Sequence, residues 1–175
     1  FKTKITEGME IKIDERKLLS LTAALVRIPS ENPPGNEKEI ANFLASKLRE
    51  LGFKVFEYDY KPGRPNVVGH LIFGNGRTLM FDGHLDTVPA GSIDRWSTSP
   101  FSGEIIDGKL YGRGAADMKS SIAAWISAIE AILNGDAKLK GEILTCLVSD
   151  EEISGFGTED ILSKGCLLYT SPSPR

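Results

Sequence analysis

The chain has 175 residues, 41% of them hydrophobic and 26% charged, with a formal net charge of -3. That length suffices for one ordinary domain with a real core, and the composition is that of a folded globular protein rather than a disordered one. No basic block argues for a nucleic-acid surface, and the longest apolar runs are far too short to span a bilayer.

Asp14 is placed to cap a helix whose apolar positions Leu18, Leu21, Leu25 and Ile28 recur at helical spacing, and Pro29 marks its end. Ser30 to Asn36 (SENPPGN) is a turn-rich loop. A second helical stripe, Ile40, Phe43, Leu44, Leu48 and Leu51, closes at Gly52 and gives way to a short strand over about Lys54 to Tyr60. Asn66 to Phe73 and Thr78 to Phe81 read as strands joined in a hairpin across Asn75-Gly76, and Glu104 to Ile106 and Lys109 to Tyr111 as a second hairpin across Asp107-Gly108. The clearest helix spans about Met118 to Leu133, with Met118, Ile122, Trp125, Ile126, Ile129 and Leu133 on one face and Asn134-Gly135 after it. Gly141 to Val148 is an apolar strand, and Thr158 to Leu162 begins another helix. This mixture predicts an α/β fold, a mixed central sheet with flanking helices. Cys146, inside the apolar strand, is expected to be a core residue; with Cys166 as the one other cysteine and no disulfide framework, the expected location is a reducing cytoplasm.

Three acidic clusters stand beside these apolar runs. His84 and Asp86 follow a strand, and residues two apart on a strand face one side, so Asp86 is expected to hold the His84 ring through its carboxylate. A polar strand-end turn is an equal alternative for this pair alone. Asp117 opens the Met118 helix, where an Asp is more often an N-cap; the other role is a carboxylate shared by two cations. Asp150-Glu151-Glu152 closes the buried strand, and three adjacent anions repel unless water or a cation offsets them. A solvated turn is the usual explanation for such a run; in the other reading, alternation along an extended backbone would send Glu152 to a metal and Glu151 to the water beside it. His70 has no matching acid nearby and reads as structural; Trp96 and Phe101 read as packing. The glycine-rich Tyr111 to Ala116 lacks the Lys-Ser/Thr of a P-loop and the third glycine of a dinucleotide fingerprint, and no Gly-x-Ser-x-Gly elbow for a serine hydrolase is present.

Phe81-Asp82-Gly83-His84-Leu85-Asp86-Thr87-Val88-Pro89, Asp107 to Lys119 (DGKLYGRGAADMK) and Ser149-Asp150-Glu151-Glu152 together resemble the M20 family of co-catalytic metallohydrolases, and the approach through Trp96, Pro100 and Phe101 resembles its acetylornithine deacetylase and succinyl-diaminopimelate desuccinylase branch. The resemblance implies a zinc-exopeptidase-like catalytic domain with two zinc ions, cobalt or manganese being alternatives. His84 would ligate one metal, Glu152 the other, and Asp117 would bridge them; Asp86 would hold the His84 ring and Glu151 would be the general base. In this family the peptide bond after the bridging aspartate is often cis. The substrate would be a small N-acyl amino acid or short peptide, and the complete protein a homodimer; a dipeptidase, a carboxypeptidase or a non-catalytic binding domain are the alternatives.

Members also supply an acidic ligand some two dozen residues after the Glu pair and a His near the C-terminus, whereas this sequence has no His after His84. Residues 1–165 are therefore expected to be the N-terminal part of the catalytic domain, without the lid and dimerisation domain, binding metal weakly and inactive alone. Residues 166–175, ending in a Ser/Pro-rich stretch, are expected to be a non-native or unstructured tail.

Overall fold

The computed structural model describes residues 11–135 and 138–165; the expected tail at 166–175 lies outside them. Helix α1 (Glu15–Arg27) begins as the sequence predicts, with the Asp14 carboxylate accepting from the Arg16 and Lys17 amides at 3.0 and 3.1 Å. A loop leads to α2 (Lys38–Glu50), after which Gly52 takes the left-handed conformation at φ 89°.

Strands β1 (Lys54–Lys61) and β2 (Arg64–Ile72) pair antiparallel around Pro62-Gly63. The hairpin expected between β2 and β3 (Thr78–His84) across Asn75-Gly76 does not form. Strand β6 (Glu142–Val148) lies between them, antiparallel to β2 and parallel to β3, giving the order β1-β2-β6-β3. Burial explains the outcome. Ile143, Leu144, Cys146, Leu147 and Val148 are apolar on both faces of β6, and only a central strand covers both. Strand β3, whose Leu79 is exposed, takes the edge. The second Asp-Gly turn does form: β4 (Ile105–Ile106) and β5 (Lys109–Leu110) meet at Asp107 and Gly108, both at positive φ, 49° and 74°.

Helices α1, α2 and α3 (Ser120–Leu133) cover one face of the sheet, packing Leu25, Ile40, Leu44, Leu48, Ile122 and Ile129 against Val67 and Leu147. Val68 and Cys146, one position along, face the other way into a smaller cluster with Ile161 of α4 (Phe156–Ser163). The fold is thus the expected mixed sheet with flanking helices. His70 does have an acid neighbour: its Nδ1 lies 2.5 Å from Glu142 Oε1 across the β2–β6 pair, a structural contact away from the acidic clusters. Sequence distance hid this partner, which β6 supplies. Among the described residues no helix is long and apolar enough to cross a membrane.

Candidate metal centre

Parallel pairing carries two of the three clusters to one end of the sheet. His84 is the register partner of Val148, and the Leu85 amide donates to the Val148 carbonyl at 2.7 Å. The segment after β3 and the turn after β6 therefore emerge side by side at the carboxyl ends of their strands, where open α/β sheets place ligands.

His84 is nearly buried, and its Nδ1 lies 2.9 Å from the main-chain oxygen of Asp86. A carbonyl only accepts, so Nδ1 carries a hydrogen and Nε2 is turned toward the site. The Asp86 carboxylate does not hold the ring as expected, because its Oδ1 is 3.7 Å from Nδ1. Strand alternation stops at His84, and past it the main-chain oxygen is the nearer acceptor. The carboxylate instead accepts the amides of Glu151 and Glu152, each at 3.1 Å, and the Asn32 side-chain amide at 2.9 Å.

Asp117 is not a helix cap. Gly114 turns at φ 79°, Asp117 and Met118 have non-helical angles, and the peptide bond between them is cis, as the resemblance implies. The helix accordingly starts at Ser120 rather than Met118. The Asp117 carboxylate leaves α3 free and reaches His84, with Oδ1 3.0 Å from Nε2.

The acid run is a turn, not an extended segment. Asp150 adopts φ 67° and its carbonyl accepts from the Gly155 amide at 2.7 Å. Its side chain points inward and accepts from Asn32 Nδ2 at 2.9 Å and Arg64 Nη1 at 3.1 Å. The repulsion expected among three adjacent acids is thereby relieved by taking one of them into contact with a guanidinium. Burial opposes ionisation of Asp150, but the Asn32 and Arg64 contacts outweigh it and hold the carboxyl below the usual range. Glu151 stays half-exposed, its Oε2 3.9 Å from His84 Nε2.

Donor atoms of His84, Asp117 and Glu152 all lie within 4.8 Å of one another. Tetrahedral donors of one zinc ion stand about 3.4 Å apart, so a spread of up to 4.8 Å is wider than a single ion needs and suits two ions that share a carboxylate. One imidazole nitrogen and two carboxylates are suitable donors for a divalent cation of borderline or hard character. The proton affinities agree with this. Burial pushes Glu152 up, with the Asp117 charge adding to it; His84 is also raised, since its contacts with Asp86 and Asp117 outweigh a burial that works the other way. A cation would compete with protons for the same atoms of Glu152 and His84. The residues fit the metal that the resemblance implies.

Sequence reasoning assigned no role to Asn32, Glu37, Arg64 or Lys119. Arg64 binds both oxygens of Glu37, which is wholly buried, as well as Asp150. Lys119 is 1% exposed, donates from Nζ to the Ile28 carbonyl at 2.7 Å, and burial pulls its pKa down to about 8. For Glu37, Arg64 and Lys119 the one available signal was a charged residue at the edge of an apolar run, which is ambiguous without knowing the fold; Asn32, in a turn-rich loop, gave none.

A conserved-family description, peptidase family M20/M25/M40, matches residues 80–171. The chain belongs to this family. It is 41% identical over 138 residues to a succinyl-diaminopimelate desuccinylase of Buchnera aphidicola subsp. Cinara cedri (strain Cc), a match covering 79% of this chain and 35% of that protein. Among solved structures it resembles the M20 family metallo-carboxypeptidase Sso-CP2 of Sulfolobus solfataricus, with TM-score 0.78, 28% identity and 85% of this chain on 34% of that one. Human carnosine dipeptidase 1 gives TM-score 0.76 at 28% identity, covering 86% of this chain and 35% of that one. The chain thus spans about a third of the length of these relatives.

Proposed function

We propose that the complete protein bearing this chain is a zinc-dependent amide hydrolase that removes an N-acyl group from an amino acid. The convergence of His84, Asp117 and Glu152 within 4.8 Å, from three separate stretches of chain, carries this reading. His84 and Glu152 are assigned as terminal ligands of two zinc ions and Asp117 as their bridge. Zinc held there would supply Lewis acidity toward the amide carbonyl and the attacking water, and cobalt or manganese would serve similarly. Glu151 is the general base: its carboxylate takes a proton from the water and delivers it to the departing amine nitrogen, leaving a free carboxylate and an amine. Asp86 supports the base and the ligand from behind through their two amides.

The desuccinylase relative favours a succinyl or similar acyl group on the substrate. The likeness to a carboxypeptidase and a dipeptidase favours, as a second reading, hydrolysis of a short peptide. A non-catalytic binding domain is disfavoured by the intact set of His84, Asp86, Asp117, Glu151 and Glu152. The same reading takes the enzyme to be a cytoplasmic homodimer, and takes the 175-residue chain on its own to bind zinc weakly without turnover.

The test uses the complete protein. Glu151→Gln should retain wild-type metal content while turnover of N-acyl amino acids falls on the order of 10²–10⁴-fold. Wild-type turnover in that variant would remove the assigned base. Side-by-side assays on N-succinyl amino acids, N-acetyl amino acids and dipeptides decide between the two substrate readings.

A further inference from the structure

We propose that Asn32 is a positioning residue that sets the Glu151–Glu152 turn; this rests on the roles assigned to those two glutamates above. The Asn32 side chain has one NH2 group with two hydrogens, and each bond goes to a different buried carboxylate, Asp86 Oδ2 and Asp150 Oδ1, both at 2.9 Å. Those two acids both act on the turn. Asp86 accepts the Glu151 and Glu152 amides, while Asp150 is the residue at which the chain bends. Behind Asp150 stands Arg64, tied in turn to Glu37 at the head of α2. A continuous run of hydrogen bonds therefore leads from α2 to the backbone of the assigned base and ligand.

The residue type follows from the charges. Asp86 and Asp150 are 1% and 3% exposed, so two carboxylates flank a single gap with little water to screen them. A neutral group with two donors fills that gap. A carboxylate at position 32 would add a third anion, and an aliphatic side chain would leave buried carboxylate oxygens without one of their donors. The position of Asn32 is itself held by the backbone: its amide donates to the Thr87 carbonyl at 2.8 Å, and the Thr87 amide donates to Ser30 at 2.9 Å. Thr87 is the residue next to Asp86, so the loop and the carboxylate it serves are locked in register.

The experiment compares Asn32→Leu and Asn32→Asp in the complete protein, by hydrogen exchange of the peptide covering residues 149–155, Co²⁺ titration and steady-state kinetics. Each variant is expected to speed exchange of the Glu151 and Glu152 amides at least about tenfold with β6 unchanged, and to weaken Co²⁺ binding about 10–100-fold. kcat should fall while KM stays within about twofold. Lower melting temperature with exchange, Co²⁺ affinity and kcat all native would make Asn32 merely structural and overturn the proposal. Should Asn32→Leu fail to fold, Asn32→Asp, close in size, decides by the same readouts. Glu152→Gln separates the two levels: native Co²⁺ affinity there would sink the ligand assignment, whereas weakened affinity there with native affinity and exchange in the Asn32 variants would sink the positioning role alone. Arg49→Ala, which removes only an exposed pair with Glu57, should match wild type throughout.

Discussion

His84 and Val148 are parallel register partners at the carboxyl ends of β3 and β6. From Val148 the chain runs through Ser149 into the turn that carries Glu151 and Glu152. The proximity of imidazole and glutamates is therefore a consequence of strand pairing, and anything that shifts β3 relative to β6 moves the candidate metal donors.

Gly83 is where that sensitivity concentrates. A Cβ at this position would lie 2.6 Å from Trp125 Cη2 and 2.7 Å from Met118 Cε. Both neighbours belong to the segment that follows Asp117, so relief must come from that segment or from β3. Gly83→Ala is expected to lower stability by about 1–3 kcal/mol. Denaturant unfolding measures the loss, and Co²⁺ titration should show weaker binding in the folded variant. Unchanged stability would mean that Trp125 and Met118 have room to yield.

Arg64 separates two buried anions. Removing it as Arg64→Met leaves Glu37 and Asp150 without their cation, a change that costs about 3–5 kcal/mol for a buried pair. Equilibrium unfolding of Arg64→Met should show a loss of that order. The double variant Arg64→Met, Glu37→Leu should recover part of it, since one uncompensated charge is gone. A double variant no more stable than the single one would show that Glu37 is not the main source of the cost.

Tyr60 provides a pH signature. Its ring faces the Arg64 guanidinium, 5.3 Å from the centroid, and burial pushes its hydroxyl up to about 12 against an opposing pull from Arg64. An unfolded tyrosine ionises near pH 10. Between about pH 10 and 12 the native state holds the proton that the unfolded state has lost, so stability falls as pH rises through that window. Absorbance titration should show one tyrosine ionising near pH 12, and Tyr60→Phe should remove that component and flatten the alkaline decline. A titration in which all tyrosines ionise together near pH 10 would contradict the assignment.

Glu152 and Glu151 are expected to part company in metal binding. Glu152→Gln removes a charged donor from the cluster and should weaken Co²⁺ binding at least about tenfold. Glu151→Gln should leave it within about threefold of wild type, because its assigned task is proton transfer. Equal losses in the two variants would require both glutamates to be ligands.

Much of the local structure was legible because it is determined by neighbours in sequence. Asp14 caps α1, Gly52 ends α2 and Asp107-Gly108 turns β4 into β5, each through backbone geometry set within a few residues. Asn75-Gly76 carries the same kind of turn signal and misled, since a local preference does not state which strand becomes the neighbour. The candidate donors were legible in the same way: His84, Asp117 and Glu152 stand in motifs whose residue types can bind a cation, and the fold brings them together.

Partners across long distances were not. The amino-acid order determined which segments are helical or extended, where caps and turns fall, and which side chains can bind a cation. Only the tertiary structure decided that β6 enters between β2 and β3, because that choice depends on burying both apolar faces of one strand at once. The same packing directs Asp86 to the Glu151 and Glu152 amides and brings Asn32 between Asp86 and Asp150, 54 and 118 residues away in the chain. Burying those charges is tolerable only when every partner arrives together, a condition that no short stretch of sequence records.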